Sequence, residues 1–215
     1  MRIVFTAWAV LAVAAAPLAG CVTAVEVPLP LLAFTGAGCT DTPDLGTAIS
    51  LTPEKERVSH YVTGAVTADG ACLNGEAGAT PYVVFALPAD HADKTMTVGG
   101  VLEATRILSP RVTLLASDGT LTRTFAAEDY LYRGALYSVQ FRPREDEAFI
   151  LVTTDAGRVG QRYDSIVVGT NTTSTYAAGA YVSWTAGTDD AQSRIFSYAG
   201  MAQVTVYDSD TDETD

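Results

Sequence analysis

The segment YVVFAL (residues 82–87) is followed by the turn residues PAD (88–90), and this unit of an apolar run and a turn recurs from Thr80 to Asp155. The runs are rich in β-branched and aromatic residues, which favour strands, and none keeps the apolar period of a helix. The predicted strands are residues 82–87, 95–102, 111–115, 121–125, 136–142 and 148–153. We therefore predict an all-β fold, an antiparallel, jelly-roll-like β-sandwich.

The alternation of side chains within these runs predicts how each strand is buried. Residues 82–87 are apolar at both odd and even positions, which is typical of a central strand covered on both faces. In contrast, Tyr137, Val139 and Phe141 alternate with polar residues, so we expect one buried face there. The segment AAEDYL (126–131) predicts one or two helical turns. The glycine-rich residues 69–81 and the polar residues 170–179 predict loops.

Residues 1–20 are typical of a bacterial export signal. Arg2 precedes an apolar run from Ile3 to Ala16 that is too short to span a bilayer as a stable helix. The sequence LAGC (18–21) follows and resembles the lipobox of bacterial lipoproteins, which implies cleavage before Cys21 and acylation of its thiol. The acyl chains would supply membrane affinity, because each buried CH₂ group contributes about 0.8 kcal/mol. An ordinary cleaved signal with an incidental cysteine is the alternative.

Val22 follows this cysteine, and in lipoproteins generally an aspartate at that position causes retention at the inner membrane. Valine therefore favours the outer membrane, with the protein facing the periplasm or the cell surface.

The rest of the chain divides by composition. Residues 21–53 contain scattered prolines and predict a lipidated, extended N-terminal tether. Residues 54–207 contain the strands of the sandwich domain, and residues 208–215 form an acidic, flexible tail. Within the tether, the apolar residues 25–34 either pack along the sandwich or lie against a membrane or a partner.

Cys39 and Cys72 remain if Cys21 carries lipid. An even pair in an oxidising periplasm favours a disulfide, and closing such a loop would stabilise the fold by roughly 3 to 4 kcal/mol. Two free thiols are the alternative. Neither cysteine has a metal-ligand neighbour at a suitable spacing, so we predict no zinc site.

The charge of the chain disfavours one class of partner. Its formal net charge of −12 should repel phosphate backbones, so we expect no nucleic-acid partner. Asp208, Asp210 and Asp212 have the first spacing of a calcium loop, but the glycine and the closing glutamate of such a loop are missing. We therefore predict a solvated tail and no metal site.

No sequence pattern points to catalysis. The G-x-S-x-G motif of serine hydrolases is absent, and the available histidines are His60 and His91. His60 alternates with Tyr61, so we expect it to face solvent or a hydrogen-bond partner. The carboxylates that a glycosidase could pair fit solvated turn positions: Glu103, Asp118, Glu128 and Asp129. We predict no enzyme and no cofactor, since a phosphate-binding glycine loop is also missing.

An aromatic cluster is the leading candidate for a binding surface. Tyr130, Tyr132 and Tyr137 lie near Arg142 in sequence, and Trp184 follows later in the chain. Glycan sites stack sugar faces on flat rings beside planar donors, so we predict a glycan-binding or protein-binding surface formed by these five residues. Packing in the core and rim of a sandwich explains the same tyrosines.

Five strand-like segments recur in order along the chain: VFALP (84–88), LSPRVTLL (108–115), FILVTTD (149–155), SRIFSY (193–198) and QVTV (203–206). They resemble strands of the MalM family, the maltose-operon periplasmic proteins. The resemblance covers residues 39–207, although Cys39 stands alone where that family commonly has a cysteine pair. It implies a shared sandwich architecture and, together with the aromatic cluster, suggests glycan binding.

We therefore expect a non-catalytic cell-envelope lipoprotein, held on the membrane by lipid on Cys21, whose sandwich recognises a glycan or an envelope partner. The alternative is a structural or accessory subunit of an outer-membrane assembly. The lipid anchor and the apolar residues 25–34 suggest that role.

Overall fold

The structure is a computed structural model, and it describes residues 27–55, 58–75, 78–177 and 180–207. The predicted export signal, the lipidation of Cys21 and the acidic tail lie outside the described residues. Across the described ranges, no helix has both the length and the apolar character needed to cross a membrane.

Strands form most of the described chain, with short 3₁₀ turns at Leu45–Thr47, His91–Asp93 and Ala127–Asp129. The strands are β1 Ile49–Ser50, β2 Ser59–Val66, β3 Cys72–Gly75, β4 Gly78–Ala86, β5 Thr95–Val101, β6 Arg106–Leu108, β7 Pro110–Leu115, β8 Leu121–Thr124, β9 Leu131–Arg133, β10 Leu136–Phe141, β11 Phe149–Thr154, β12 Arg162–Ala177, β13 Ala180–Ser197 and β14 Gly200–Tyr207. All six strands predicted between Thr80 and Asp155 are present.

The strands form three sheets. The first sheet has the order β1-β4-β11-β7-β8, and β3 also pairs with β4. The second sheet has the order β2-β14-β5-β10-β9, and the third has the order β12-β13-β6. Neighbouring strands are antiparallel except for β1 with β4 and β6 with β13, which are parallel.

The main core lies between the first and second sheets. Phe85, Leu114 and Ile150 come from the first sheet, Met96 and Val98 come from the second, and all are fully buried in one cluster. Burial of each such side chain contributes roughly 1.5 to 3 kcal/mol. This arrangement confirms the predicted antiparallel β-sandwich.

Strand β4 is apolar on both faces because each face packs against a different layer. Phe85 points into the main core, whereas Tyr82 and Val84 belong to a second buried cluster on the outer face of the first sheet. Leu73 of β3 packs in that second cluster. The prediction that residues 82–87 are covered on both sides is confirmed.

The third sheet is attached to the sandwich through β6. A Cβ atom on Gly100 of β5 would lie 2.4 Å from the Leu108 carbonyl oxygen, so glycine allows the backbone of β6 to approach β5 closely. Ile107 and Phe196 enter the main core beside this contact. The position of β6 fixes the base of β13, which pairs with it.

Two predicted loops are strands instead. Residues 69–81 were expected to form a loop, but they contain β3 and the first part of β4, which pair in register from Cys72↔Pro81 to Gly75↔Gly78. The predicted polar loop at 170–179 is wrong for residues 170–177, which continue β12. Threonine is β-branched and suits a strand, so low hydrophobicity alone does not indicate a loop there. The predicted helical turns at 126–131 reduce to the 3₁₀ turn Ala127–Asp129.

Candidate functional site

A groove runs along the outer face of the first sheet. Arg111 and Thr153 share that face with Leu115 and Leu151, because side chains two or four positions apart on a strand point to the same side. Leu45 and β3 cover part of this face, and the adjoining part forms the groove, which has a volume of about 700 Å³. The side chains that line it include Leu73, Asn74, Thr80, Arg111, Leu121, Thr153, Thr154, Asp155 and Tyr198.

A disulfide holds one wall of the groove. Cys39 and Cys72 are bonded, with their Cα atoms 4.7 Å apart, which confirms the predicted pair. The Thr40 N–H donates to the Cys72 carbonyl at 3.0 Å, and the Asn74 N–H donates to the Thr40 carbonyl at 2.8 Å. The segment around Cys39 therefore acts as an extra strand beside β3, and it fixes the position of Leu73 and Asn74 in the wall.

Threonine hydroxyls fix the floor of the groove. The Thr154 N–H donates to Thr80 Oγ1 at 3.0 Å, and the Thr154 hydroxyl donates to the Tyr198 carbonyl at 3.0 Å. These bonds connect β4, β11 and the turn before β14. The backbone carbonyl and N–H of Tyr198 are both hydrogen-bonded, and these bonds position its ring at the rim of the groove.

Arg111 and Asp155 meet at one end of the groove. Arg111 Nη2 lies 3.7 Å from Asp155 Oδ1, and the two side chains are 56% and 27% exposed. Asp155 Oδ1 also accepts a hydrogen bond of 3.1 Å from the Gly157 N–H. The Arg111–Asp155 distance exceeds that of a hydrogen bond, and an exposed ion pair contributes little stability. The guanidinium donors therefore remain available to a ligand.

A smaller pocket of about 220 Å³ adjoins the groove and shares Arg111 and Asp155 with it. Phe125 and Tyr130 line this pocket. The Tyr130 hydroxyl accepts a 2.7 Å hydrogen bond from the Val112 N–H, and burial raises the pKa of Tyr130 above that of an exposed tyrosine. One of the predicted binding residues thus lies beside the groove, with its ring largely enclosed.

The three predicted tyrosines lie together, but mostly inside the protein. Tyr130 and Tyr137 are 7% and 3% exposed, and their ring centroids are 5.3 Å apart. Tyr132 is 40% exposed, and its ring packs on Tyr137 at 4.9 Å and stacks on Tyr163 at 3.9 Å. The packing interpretation therefore accounts for Tyr130 and Tyr137, whose ring faces contact other aromatic rings and not solvent.

A cation lies against the same aromatic cluster. The Arg158 guanidinium carbon is 4.9 Å from the centre of the Tyr137 ring and 5.3 Å from that of Phe196. Such cation–π contacts are worth roughly 0.5 to 2 kcal/mol, depending on how far the pair is desolvated. Arg158 thus closes the cluster from the side of the loop that follows β11.

The other two predicted binding residues are placed elsewhere. Arg142 is exposed and follows β10, five positions and therefore roughly 17 Å along the strand from Tyr137. Trp184 pairs with Thr173 in β12 and β13, ten positions and roughly 33 Å from the Tyr163↔Arg194 pair. The five residues are not brought together as one surface, and their role in binding stays a prediction.

The groove was not predicted from the sequence. Arg111 and Asp155 meet because β7 and β11 pair with Arg111 opposite Thr153. Asn74 is brought to the groove by the pairing of β3 with β4, and Tyr198 by the hydrogen bond between Thr154 and its carbonyl. The available signal was a charged residue at the start of predicted strand 111–115 and another just after the end of predicted strand 148–153. It would have been informative only with the strand pairing known.

Both histidines contact backbone carbonyl groups. His60 Nε2 lies 2.8 Å from the Leu51 carbonyl oxygen, so the expectation of a hydrogen-bond partner is confirmed. His91 Nδ1 lies 2.7 Å from the Pro88 carbonyl oxygen, and its Nε2 lies 3.0 Å from that of Arg144. These contacts connect loops to the sandwich, and neither histidine lines the groove.

Acidic residues considered for catalysis have structural contacts in this fold. Glu103 pairs with Arg106 through both carboxylate oxygens, at 2.9 and 3.1 Å. Asp118 accepts a 2.9 Å hydrogen bond from the Thr120 N–H, and this bond lowers the pKa of Asp118. Asp129 accepts a 2.8 Å bond from a backbone N–H three residues earlier. All three therefore stabilise turns or strand ends.

The apolar residues 27–34, which we call the strap, pack along the sandwich through their backbone. The Leu31 N–H donates to Ser197 Oγ at 2.8 Å, and the Leu31 carbonyl accepts from the Tyr198 N–H at 2.9 Å. Leu29 and Leu32 nevertheless remain 76% and 56% exposed. The strap is thus bound to the domain and presents leucines outward, so both interpretations of this segment keep a structural basis.

Within the described residues, no group of three or more histidine, cysteine or acidic side chains is arranged to hold a metal ion. No protein-family model, no curated protein and no solved structure matches the chain. The resemblance to the MalM family therefore stays a prediction from the sequence.

Proposed function

We propose that this protein is a non-catalytic binding module of the bacterial cell envelope that recognises a glycan in the groove. The observation that carries the proposal is the exposed Arg111–Asp155 pair, 3.7 Å apart, at the end of a groove of about 700 Å³. Binding sites of this size combine apolar walls with a few converging polar groups.

The chemistry of the lining favours a ligand rich in hydroxyl groups. Each sugar hydroxyl can donate and accept, so it pairs with a guanidinium donor such as Arg111 and a carboxylate acceptor such as Asp155. The Asn74 amide stands on the disulfide-held wall, and the Tyr198 ring supplies an apolar surface for a sugar face. Asn74, Asp155 and Tyr198 are held by hydrogen bonds before any ligand arrives, which lowers the entropic cost of binding.

The number of carboxylates in the groove supports binding without hydrolysis. A glycosidase needs a second carboxylate about 5 to 9.5 Å from the first. Among the described lining residues, Asp155 is the one carboxylate.

The envelope location rests on the LAGC sequence before the sandwich. Val27, where the strap begins, is six residues beyond Cys21, a span of at most about 21 Å. Lipid on Cys21 would therefore hold the domain close to a membrane, which we propose is the outer membrane. The Cys39–Cys72 disulfide is consistent with an oxidising compartment outside the cytoplasm.

Calorimetric titration of the detergent-extracted full chain with maltodextrins and with peptidoglycan fragments tests the proposal. We expect saturable binding of at least one of these glycans, lost in Arg111→Ala and in Asp155→Asn. Arg162→Ala is the matched control, because Arg162 is exposed and does not line the groove. Failure of every glycan to bind, or equal loss in the control, would refute glycan recognition at this site.

A second candidate function is a structural or accessory role in an outer-membrane assembly. The exposed leucines of the strap, Leu29 and Leu32, favour it because they are held in place and remain uncovered. Affinity purification after cross-linking would test this role. An envelope protein captured by the wild type and lost in Leu29→Ser/Leu32→Ser, without any glycan binding, would support it over the first proposal.

A further inference from the structure

Strands β12 and β13 form a long ribbon whose pairs run from Arg162↔Ile195 to Ala177↔Ala180. Strand β13 pairs with β6 only over Ile195–Ser197, and β12 is the edge strand of the third sheet among the described residues. The 16 residues of β12 span roughly 50 Å. Over most of its described length, the ribbon therefore has only the hydrogen bonds between its own two strands.

The base of the ribbon is firmly attached to the sandwich. Tyr163 stacks on Tyr132 with ring centroids 3.9 Å apart and planes 11° from parallel. Arg194 is 8% exposed, and its guanidinium donates to the Glu103 carbonyl and, at 3.0 Å, to Ser165 Oγ. These contacts fix the direction in which the ribbon leaves the domain.

Beyond this base the described side chains of β12 are exposed to solvent. Ile166 is 70% exposed, and Thr172, Thr173 and Ser174 are exposed along the same strand. A two-stranded hairpin without further packing is at best marginally stable in water. A third strand on the free edge of β12 would supply the missing ladder of hydrogen bonds.

The sequence of this edge indicates which partner it suits. Residues 166–175 (IVVGTNTTST) contain no charged residue and no proline, whereas soluble proteins commonly protect an edge strand with both. The chain as a whole has a formal net charge of −12, so two copies repel each other over most of their surfaces. An uncharged edge is where two copies can approach without placing like charges opposite each other.

The partner strand β13 is less suited to this role. It carries Asp189 and Asp190 opposite Val168 and Val167, and its base is already paired with β6. Over Ala180–Arg194 β13 also pairs on one side only, but its free edge includes these two aspartates, whereas β12 has no charged residue from Ile166 to Thr175. An antiparallel arrangement of two identical strands has two-fold symmetry, which is the commonest way in which copies of one chain associate.

We propose that the free edge of β12, from Ile166 to Thr175, pairs antiparallel with the same edge of a second copy of this chain. The two ribbons then form one four-stranded sheet between the two sandwiches. In an antiparallel pair of identical strands, the residue numbers of any two facing residues add up to the same total. One position near the middle of the segment therefore faces the same position of the other copy.

A cysteine scan of residues 166–175 in the full chain, in native membranes under mild oxidation, tests this geometry. The existing Cys39 and Cys72 are bonded to each other and do not interfere. We expect disulfide-linked dimers with a single maximum along the segment and a decline on either side. Thr185→Cys and Thr188→Cys on β13 are the controls, and they should give no dimer. No dimer at any β12 position, or equal dimer on β13, would overturn the proposal.

Charge placed on the edge provides the second measurement. Val168→Lys/Thr170→Lys puts positive charges on the β12 edge of both copies, within the proposed contact, whereas Thr185→Lys/Thr188→Lys puts them on β13. Sedimentation of the detergent-extracted full chain should show dimer for the wild type and the β13 variant, and monomer for the β12 variant. A monomeric wild type, or a dimer that survives both pairs of lysines equally, contradicts pairing between copies.

Discussion

The Glu147 carboxylate is completely buried, and the Arg123 guanidinium binds it with two hydrogen bonds, Nε to Oε1 at 3.1 Å and Nη2 to Oε2 at 2.8 Å. The Arg144 N–H donates a further bond of 2.8 Å to Oε2. Arg123 also lies 5.2 Å from the ring centres of Phe125 and Phe141. This pair attaches the short edge strand β8 to the turn between β10 and β11.

Arg123→Ala should destabilise the fold by about 3 to 5 kcal/mol, because it leaves the buried Glu147 charge without its partner. Urea denaturation checks this through a lower midpoint with an unchanged slope. The control Glu145→Ala changes an exposed acid in the same turn and should shift stability by no more than about 0.5 kcal/mol. Equal effects of the two substitutions would show that the pair is not a structural anchor.

Cys39→Ser/Cys72→Ser should lower the free energy of unfolding by about 3 to 4 kcal/mol, because the loop of 33 residues between them is no longer closed in the unfolded chain. The same change should weaken glycan binding, since Leu73 and Asn74 lose part of the support of their wall. Denaturation with and without reductant measures the first effect. An unchanged midpoint after complete reduction would contradict it.

Cys21→Ser should abolish incorporation of labelled palmitate and release the protein from the membrane fraction. The expectation follows from the LAGC sequence, which resembles the lipobox, a motif whose cysteine thiol is acylated. The stability of the sandwich should not change, because Cys39 and Cys72 form the disulfide without it. Equal labelling of the wild type and the variant would mean that the chain is not a lipoprotein.

Stability should fall at high pH through Tyr132. Burial raises the pKa of Tyr132 to about 12, from 10.0 for an ordinary tyrosine. The folded state therefore holds this proton more tightly than the unfolded state, so the contribution is complete below pH 10.0 and disappears as the pH rises to about 12. Urea midpoints measured across that range check it. Tyr132→Phe should show a weaker pH dependence than the control Tyr61→Phe, and identical profiles would contradict the assignment.

The fold was predictable from the sequence where a single strand carries its own signal. Residues 82–87 show burial on both faces by composition alone, and the structure places Phe85 and Val84 in different clusters. The disulfide was predictable because only one pair of cysteines remains beyond Cys21. In these cases local chemistry and compartment were sufficient.

The site and the ribbon depend on information that is not local. Arg111 and Asp155 meet through the register of β7 against β11, which no single segment specifies. The threonine-rich part of β12 looks like a loop by hydropathy, and its pairing with β13 makes it a strand. Tyr130 and Tyr137 are of a residue type common in binding surfaces, but the sandwich encloses them. Burial is a property of the assembled sheets, so it could not be read from spacing.

The most direct test of the central claim is hydrogen–deuterium exchange of the full chain with and without a saturating maltodextrin or peptidoglycan fragment. Glycan recognition in the groove predicts slower exchange at residues 73–75, 78–80, 111 and 153–157, which line it. It predicts no change at residues 131–138, which carry the tyrosine cluster. Protection centred on residues 131–138, or no protection anywhere in the presence of any of these glycans, would contradict it.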